Sequence, residues 1–187
     1  MNLLELIILG LLCIFQSIFG VGLLILGTPT FIFLGYNFFD VLNILLPYSI
    51  IISTLQVFFH KEKRDYFFIK KFCYYSIPSL FLGLVITINF NNLINFFFLI
   101  SLILIIFSTI NIINLKNSIF KIKKLNYYLF FMGLMHGMTN LGGFLLTIII
   151  SNKFKKKELI RYNIALSYLI FAIIQLTFIN FFYQKII

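Results

Sequence analysis

Acidic residues are nearly missing from this sequence: five Asp and Glu stand among 187 residues, and charged residues of both signs make up only 11% of the chain. Soluble domains carry about a quarter of their residues as charge, so a water-facing surface is excluded for most of the chain. Cysteine is as scarce. Cys13 and Cys73 form no C-x-x-C pair, which argues against a dithiol centre of that type. The two histidines, His60 and His136, have no partners at ligand spacing, which argues against a metal site. The opening Met1-Asn2-Leu3-Leu4-Glu5 has no basic segment and no small-residue cleavage site, so the first apolar run is expected to be retained.

What is abundant is apolar. The chain is 61% hydrophobic with a mean hydropathy of +1.07, and both values predict an all-α, polytopic integral membrane protein surrounded by lipid. Lys and Arg number 15. A nucleic-acid module would spread such charge along one folded face, whereas here it lies in three short clusters between apolar runs, at 60–71, 116–124 and 153–161. Clusters of that kind are topology signals, and no nucleic-acid partner is expected.

The first uncharged run, 6–39, would be roughly 50 Å long as one helix against a hydrocarbon core of about 30 Å. It is too long for one span and too short for two. Gly20-Val21-Gly22 falls near its middle, so we expect two short helices meeting there, a hairpin over 3–39. Ordinary spans follow at 42–59, 72–90 and 93–115. The run 125–150 is interrupted by Met135-His136-Gly137-Met138-Thr139-Asn140-Leu141-Gly142-Gly143. Crossing once would put the second and third basic clusters on opposite sides, which the positive-inside rule disfavours. A hairpin over 125–152 puts all three clusters in the cytoplasm, and a last span is expected at 163–183.

Gly22, Leu26, Asn43, Ile44, Leu46, Tyr48 and Ile50 recur 120 positions later as Gly142, Leu146, Asn163, Ile164, Leu166, Tyr168 and Ile170. The match superposes the two breaks and the helix after each. It divides the chain into a first repeat, 1–115, and a second, truncated repeat, 116–187. Three crossings lie between the hairpins, so the repeats are expected to be inverted, and folds of that type bind substrate near the membrane midplane at broken helices.

Gly20-Val21-Gly22, Pro29, Leu34-Gly35, and Ser49, Ser53 and Thr54, with Gly133 to Gly143 as a second copy, resemble the sulfite exporter TauE/SafE family of membrane permeases. The pattern departs from that family at Leu23, Leu24 and Phe144 and in the spans expected after the second copy. The resemblance implies a multi-pass cell (inner) membrane transporter of sulfite, a sulfonate or another small organic or sulfur-containing anion, working by alternating access.

The candidate binding residues are Gly20, Gly22, His136, Thr139, Asn140, Gly142, Gly143, Asn43 and Asn163, with Gln16 and Ser17 as further polar neighbours of the first break. Glycines in a broken helix free backbone N–H groups, and a helix N-terminus favours an anion. Glycines also serve close helix packing. His136 is the one ionisable group expected at that depth, able either to exchange a proton or simply to bond across helices. Valine at Gly142 or Gly143 is expected to block binding and leave the fold intact. Neither catalysis nor a cofactor is expected. Two other functions fit the residues less fully: a non-transporting subunit packed against a partner, and a thiol shuttle using Cys13 and Cys73. A homodimer or a partner subunit is expected in addition, to cover the helix flank that the missing last spans leave exposed.

The topology is directly testable. In intact cells, single cysteines at Lys123→Cys and Lys156→Cys are expected to react only from the cytoplasmic side and Asn91→Cys only from outside; opposite labelling of the first two removes the second hairpin.

Overall fold

The computed structural model describes residues 2–59, 65–114 and 124–182. Lys61, Lys63, Arg64, Lys116, Lys121, Lys123, Lys185 and His60, with the expected span ends at 115 and 183, lie outside the described residues. The rest is helical, with no strand among the described residues: α1 (Leu3–Phe19), α2 (Leu23–Phe33), α3 (Phe38–Phe59), α4 (Tyr66–Asn89), α5 (Phe96–Asn114), α6 (Leu125–Thr139), α7 (Gly143–Lys153) and α8 (Lys157–Phe182). Three of them, α3, α4 and α8, are long and apolar enough to cross a membrane. Each begins four to six residues before the expected span, at Phe38, Tyr66 and Lys157. The added turns carry Asp40, Lys70 and Lys71, and Glu158 with Arg161. A helix keeps its hydrogen-bond ladder through such a turn whether or not the side chains are apolar, so hydropathy alone reads it too short.

The helices form two compact units by contact, α1, α2, α3 and α8 in one and α4 to α7 in the other. In the first unit the mouth of the hairpin is tied shut. Asn2 and Glu5 make a reciprocal capping box at the start of α1, with bonds of 3.0 and 2.7 Å, which satisfies two amides that any helix start leaves orphaned. The Tyr36 hydroxyl, in the turn after α2, donates to the same Glu5 carboxylate at 2.8 Å. The chain thus leaves along α1 and comes back along α2 to where it started. Gly27 makes the return possible, because a Cβ there would stand 2.9 Å from Leu45 Cδ1 and 3.3 Å from Leu12 Cδ1. At the far end, Gln56 of α3 donates to the Gln16 and Ser17 carbonyls of α1 at 2.9 and 3.2 Å. That supplies a donor to the Ser17 carbonyl, among those a helix C-terminus leaves open, and a second donor to the Gln16 carbonyl. α8 packs along α3.

In the second unit α6 is pressed against α4 backbone to backbone. A Cβ on Gly137 would lie 2.9 Å from the Leu84 amide nitrogen, one on Gly133 2.9 Å from Ser76 Cα, and one on Gly83 3.1 Å from the Met138 amide nitrogen. Gly133-x-x-x-Gly137 is the small-residue spacing that lets two helices approach so closely in lipid. Ser76 adds a hydroxyl bond to the Leu129 carbonyl at 3.0 Å, and Asn126 donates to the Tyr75 hydroxyl at 3.0 Å. α7 then brings the chain back: Phe154 meets Phe68 edge to face at 5.8 Å, and the Lys153 ammonium stands 4.8 and 4.5 Å from the Phe68 and Phe154 ring centres, within cation–π range. Both the start of α6 and the end of α7 therefore lie beside the first turns of α4.

The two hairpins share their boundaries at a shift of 120. α1 ends at Phe19 and α6 at Thr139; α2 runs from Leu23 to Phe33 and α7 from Gly143 to Lys153. Their mouths differ in charge. Glu5 and Asp40 lie at the first, Lys70, Lys71, Lys124 and Lys153 at the second.

Gly137→Val is expected to destabilise the protein by about 1–3 kcal/mol through overpacking, read as a lowered unfolding temperature in detergent. Gly10→Ala, inside α1 at a position with nothing within 4 Å of a Cβ, should not lower that temperature.

Candidate functional site

Each break is made by one residue in the left-handed region. Gly20 has φ 78° and Asn140 φ 61°, a conformation that glycine and, less readily, asparagine adopt. Each ends its helix the same way, by donating its amide to the carbonyl four residues back: Gly20 to Gln16 and Asn140 to His136, both at 2.8 Å. Two residues on, Gly22 and Gly142 stand as the N-caps of α2 and α7, and their carbonyls accept from Leu26 at 2.8 Å and Leu146 at 3.0 Å. So the residue just inside each break, one turn before its left-handed residue, is a buried polar one, Gln16 in the first and His136 in the second.

In the first break the Gln16 side chain lies between two serines of α3, its Nε2 at 3.4 Å from Ser49 Oγ and 3.3 Å from Ser53 Oγ. A hydroxyl donates as readily as it accepts, so turning the amide over would leave the serine contacts made and present the NH2 instead of the oxygen. As placed, Gln16 Oε1 is buried without a hydrogen-bond partner among the described residues. Gly22, at φ 140°, has a backbone that L side chains rarely adopt, and a Cβ there would stand 3.1 Å from Phe15 Cδ1. Gly20 is buried with Ile164 Cγ2 3.9 Å from its Cβ position, which brings α8 to this break. Asn163, beside Ile164, is buried; its Nδ2 donates to the Leu159 carbonyl at 2.8 Å, and its Oδ1 has no partner among the described residues. That bond fixes the amide, so Asn163 offers an acceptor. Asn43, its counterpart in the repeat, is exposed on α3, off the face that carries Ser49 and Ser53. Ser17 is exposed and bonds its own helix, at the Cys13 carbonyl.

In the second break His136, Thr139, Asn140, Gly142 and Gly143 are all buried. Thr139 donates to the Met135 carbonyl at 2.8 Å and accepts from the Leu141 amide at 3.4 Å, so its hydroxyl holds the break closed. Of the first-turn amides of α7, Phe144 reaches the Leu141 carbonyl at 3.2 Å, and Gly143 opens the helix. Gly142 does not fit the expectation that valine there would leave the fold intact. A Cβ at Gly142 would stand 2.5 Å from His136 Cβ and 2.6 Å from the Met132 carbonyl oxygen. This glycine exists so that the chain can turn back onto α6, and a side chain would force the hairpin open.

Cys13 and Cys73 are half-buried free thiols, and no group of three or more potential metal ligands occurs among the described residues. Two contributors lie outside the expected site residues: Gln56, which caps α1, and the Gly133/Gly137 pair. Both had signals. Ser49, Ser53 and Gln56 recur at i, i+4 and i+7, one polar face on an apolar helix, and Gly133-x-x-x-Gly137 is a packing motif on sight.

Among the described residues the chain is all-helical, with three helices long and apolar enough to cross a membrane, and carries two broken-helix hairpins whose helix boundaries match at a shift of 120, although Gly22 has a positive φ and Gly142 a right-handed helical one. No protein-family model, curated protein or solved structure matches it.

The conformation of Asn140 yields a test that separates backbone from side chain. Asn140→Val is expected to lose about 1–2 kcal/mol, because a β-branched residue is strained in the left-handed region. Asn140→Gly should be clearly milder in the same thermal unfolding measurement.

Proposed function

We propose that this protein is a multi-pass inner-membrane transporter that moves a small anion, sulfite, a sulfonate or another small organic or sulfur-containing acid, using its two helix breaks as binding elements. The observation that carries the proposal is the second occurrence of the same break, with Gln16 and His136 at matching positions. A helix that stops inside hydrocarbon leaves backbone groups that protein or solute must satisfy, and a chain that builds this twice around buried polar side chains is equipped to hold a polar solute. The resemblance of both breaks to the TauE/SafE pattern points to the same class of substrate.

An inverted arrangement of the repeats is part of the proposal. Lysines at the mouth of the second hairpin and the lack of any Lys or Arg before Lys61, around the first, are what the positive-inside rule expects of two like hairpins opening to opposite sides. Asn163 narrows the solute. A buried acceptor without a partner is unfavourable beside bare negative charge and favourable beside a donor, so a partly protonated oxyanion such as hydrogen sulfite suits the first break better than a fully ionised one.

Protein reconstituted in liposomes is expected to pass radiolabelled sulfite faster than empty liposomes do. Gln16→Ala and His136→Ala should each lower that flux about 10- to 150-fold, the range for losing one hydrogen bond to a charged group. If sulfite, a sulfonate and a small carboxylate all leak no faster than from empty liposomes, transport is ruled out and the non-transporting subunit takes its place.

A further inference from the structure

A groove of about 450 Å³ runs along α6 between α5 and α7, apolar throughout, with Tyr128, Phe131, Met135, Met138 and Thr139 on one wall and Ile103 on the other. We infer that it is a binding site for one acyl chain of an anionic phospholipid, with the headgroup held at Lys124. The inference is independent of transport and rests on three features of the second unit.

The first is the stripe itself. Positions 124, 128, 131, 135 and 138 follow one another at the three- and four-residue spacing that keeps side chains on one helix face. The face is apolar from Tyr128 onward and ends upward in an exposed lysine. The second is its length. Tyr128 to Thr139 covers roughly 16 Å at 1.5 Å per residue, about half of a 30 Å hydrocarbon core. That is the depth one leaflet's chain reaches, with its tip arriving at the second break. The third is charge. Lys124 is the residue before α6, at the level where the hairpin mouth carries Lys70, Lys71 and Lys153, and a lysine at that level attracts an anionic headgroup. An amphipathic ligand with one negative head and one extended tail matches this order of groups, and a neutral lipid meets it only in part. Methionines at 135 and 138 suit a tail of variable shape, being unbranched and adaptable.

The chain contains no tryptophan, so a single introduced indole reports on the groove. Phe131→Trp, at a half-exposed wall position, would be measured in phosphatidylcholine vesicles containing increasing fractions of brominated phosphatidylglycerol or, separately, brominated phosphatidylcholine. Half-maximal quenching is expected at about a fivefold lower mole fraction of the anionic lipid. Adding Lys124→Gln should bring the two curves together. Leu11→Trp, exposed on α1, should show no such difference in either background. Identical curves for the two lipids at Phe131→Trp, a preference that survives Lys124→Gln, or an indole that no brominated lipid quenches would each overturn the inference; the last would mean that a second copy of the chain or another protein covers the groove.

Discussion

A polypeptide in hydrocarbon must satisfy every backbone N–H and C=O from within itself, and the rest of this structure follows from how the chain meets that demand where its helices stop. It stops them twice in one way. A left-handed residue returns its amide to the last turn, and a glycine two positions on lets the next helix start with its carbonyl already engaged. The ends are then finished by side chains: Gln56 caps the carbonyls of α1, and Thr139 bonds on both sides of its break. Polar side chains in the interior are thus committed first to repairing backbone, and only what is left over is available to a solute. In the first unit one end of the Gln16 amide and the Asn163 oxygen are among what is left over.

Glycine serves three different ends in this chain, and they are separable. Gly20 and Gly22 are there for backbone angles that other residues rarely adopt; Gly133, Gly137 and Gly83 are there so that α4 and α6 can touch; Gly142 is there so that the chain can fold back on His136. The close packing of α4 on α6 makes the second hairpin rigid along one side. Its other side, facing α5, is the open apolar groove.

Much of this was legible in the residues. Both breaks are marked by Gly or Asn inside long apolar runs; the length of the first run excludes both a single span and a pair, and the basic clusters flanking the second disfavour a single crossing, so hairpins at Gly20 and Asn140 are legible in the sequence. The beginnings of α3, α4 and α8 could not, because hydropathy ends where charge begins while the helix continues through the interface. Asn43 and Asn163 occupy equivalent positions in the repeat, yet one is exposed and the other buried with an unused oxygen. That difference is made by neighbours far away in sequence, which no local pattern carries. The mixed purpose of the glycines is hidden for a related reason: Gly133 stands just before the break motif and Gly137 within it, although their four-residue spacing is the mark of a helix contact.

The central claim is that each break reverses the chain. A pulsed electron–electron distance measurement between spin labels at Lys124→Cys and Lys153→Cys, in protein whose native cysteines are replaced by serine and which is embedded in lipid, tests it most directly. A hairpin places the two labels on one side of the membrane, at a separation well below the roughly 30 Å hydrocarbon thickness. A single tilted helix through the same residues would hold them about 43 Å apart at 1.5 Å per residue, and a distance in that range would contradict the account.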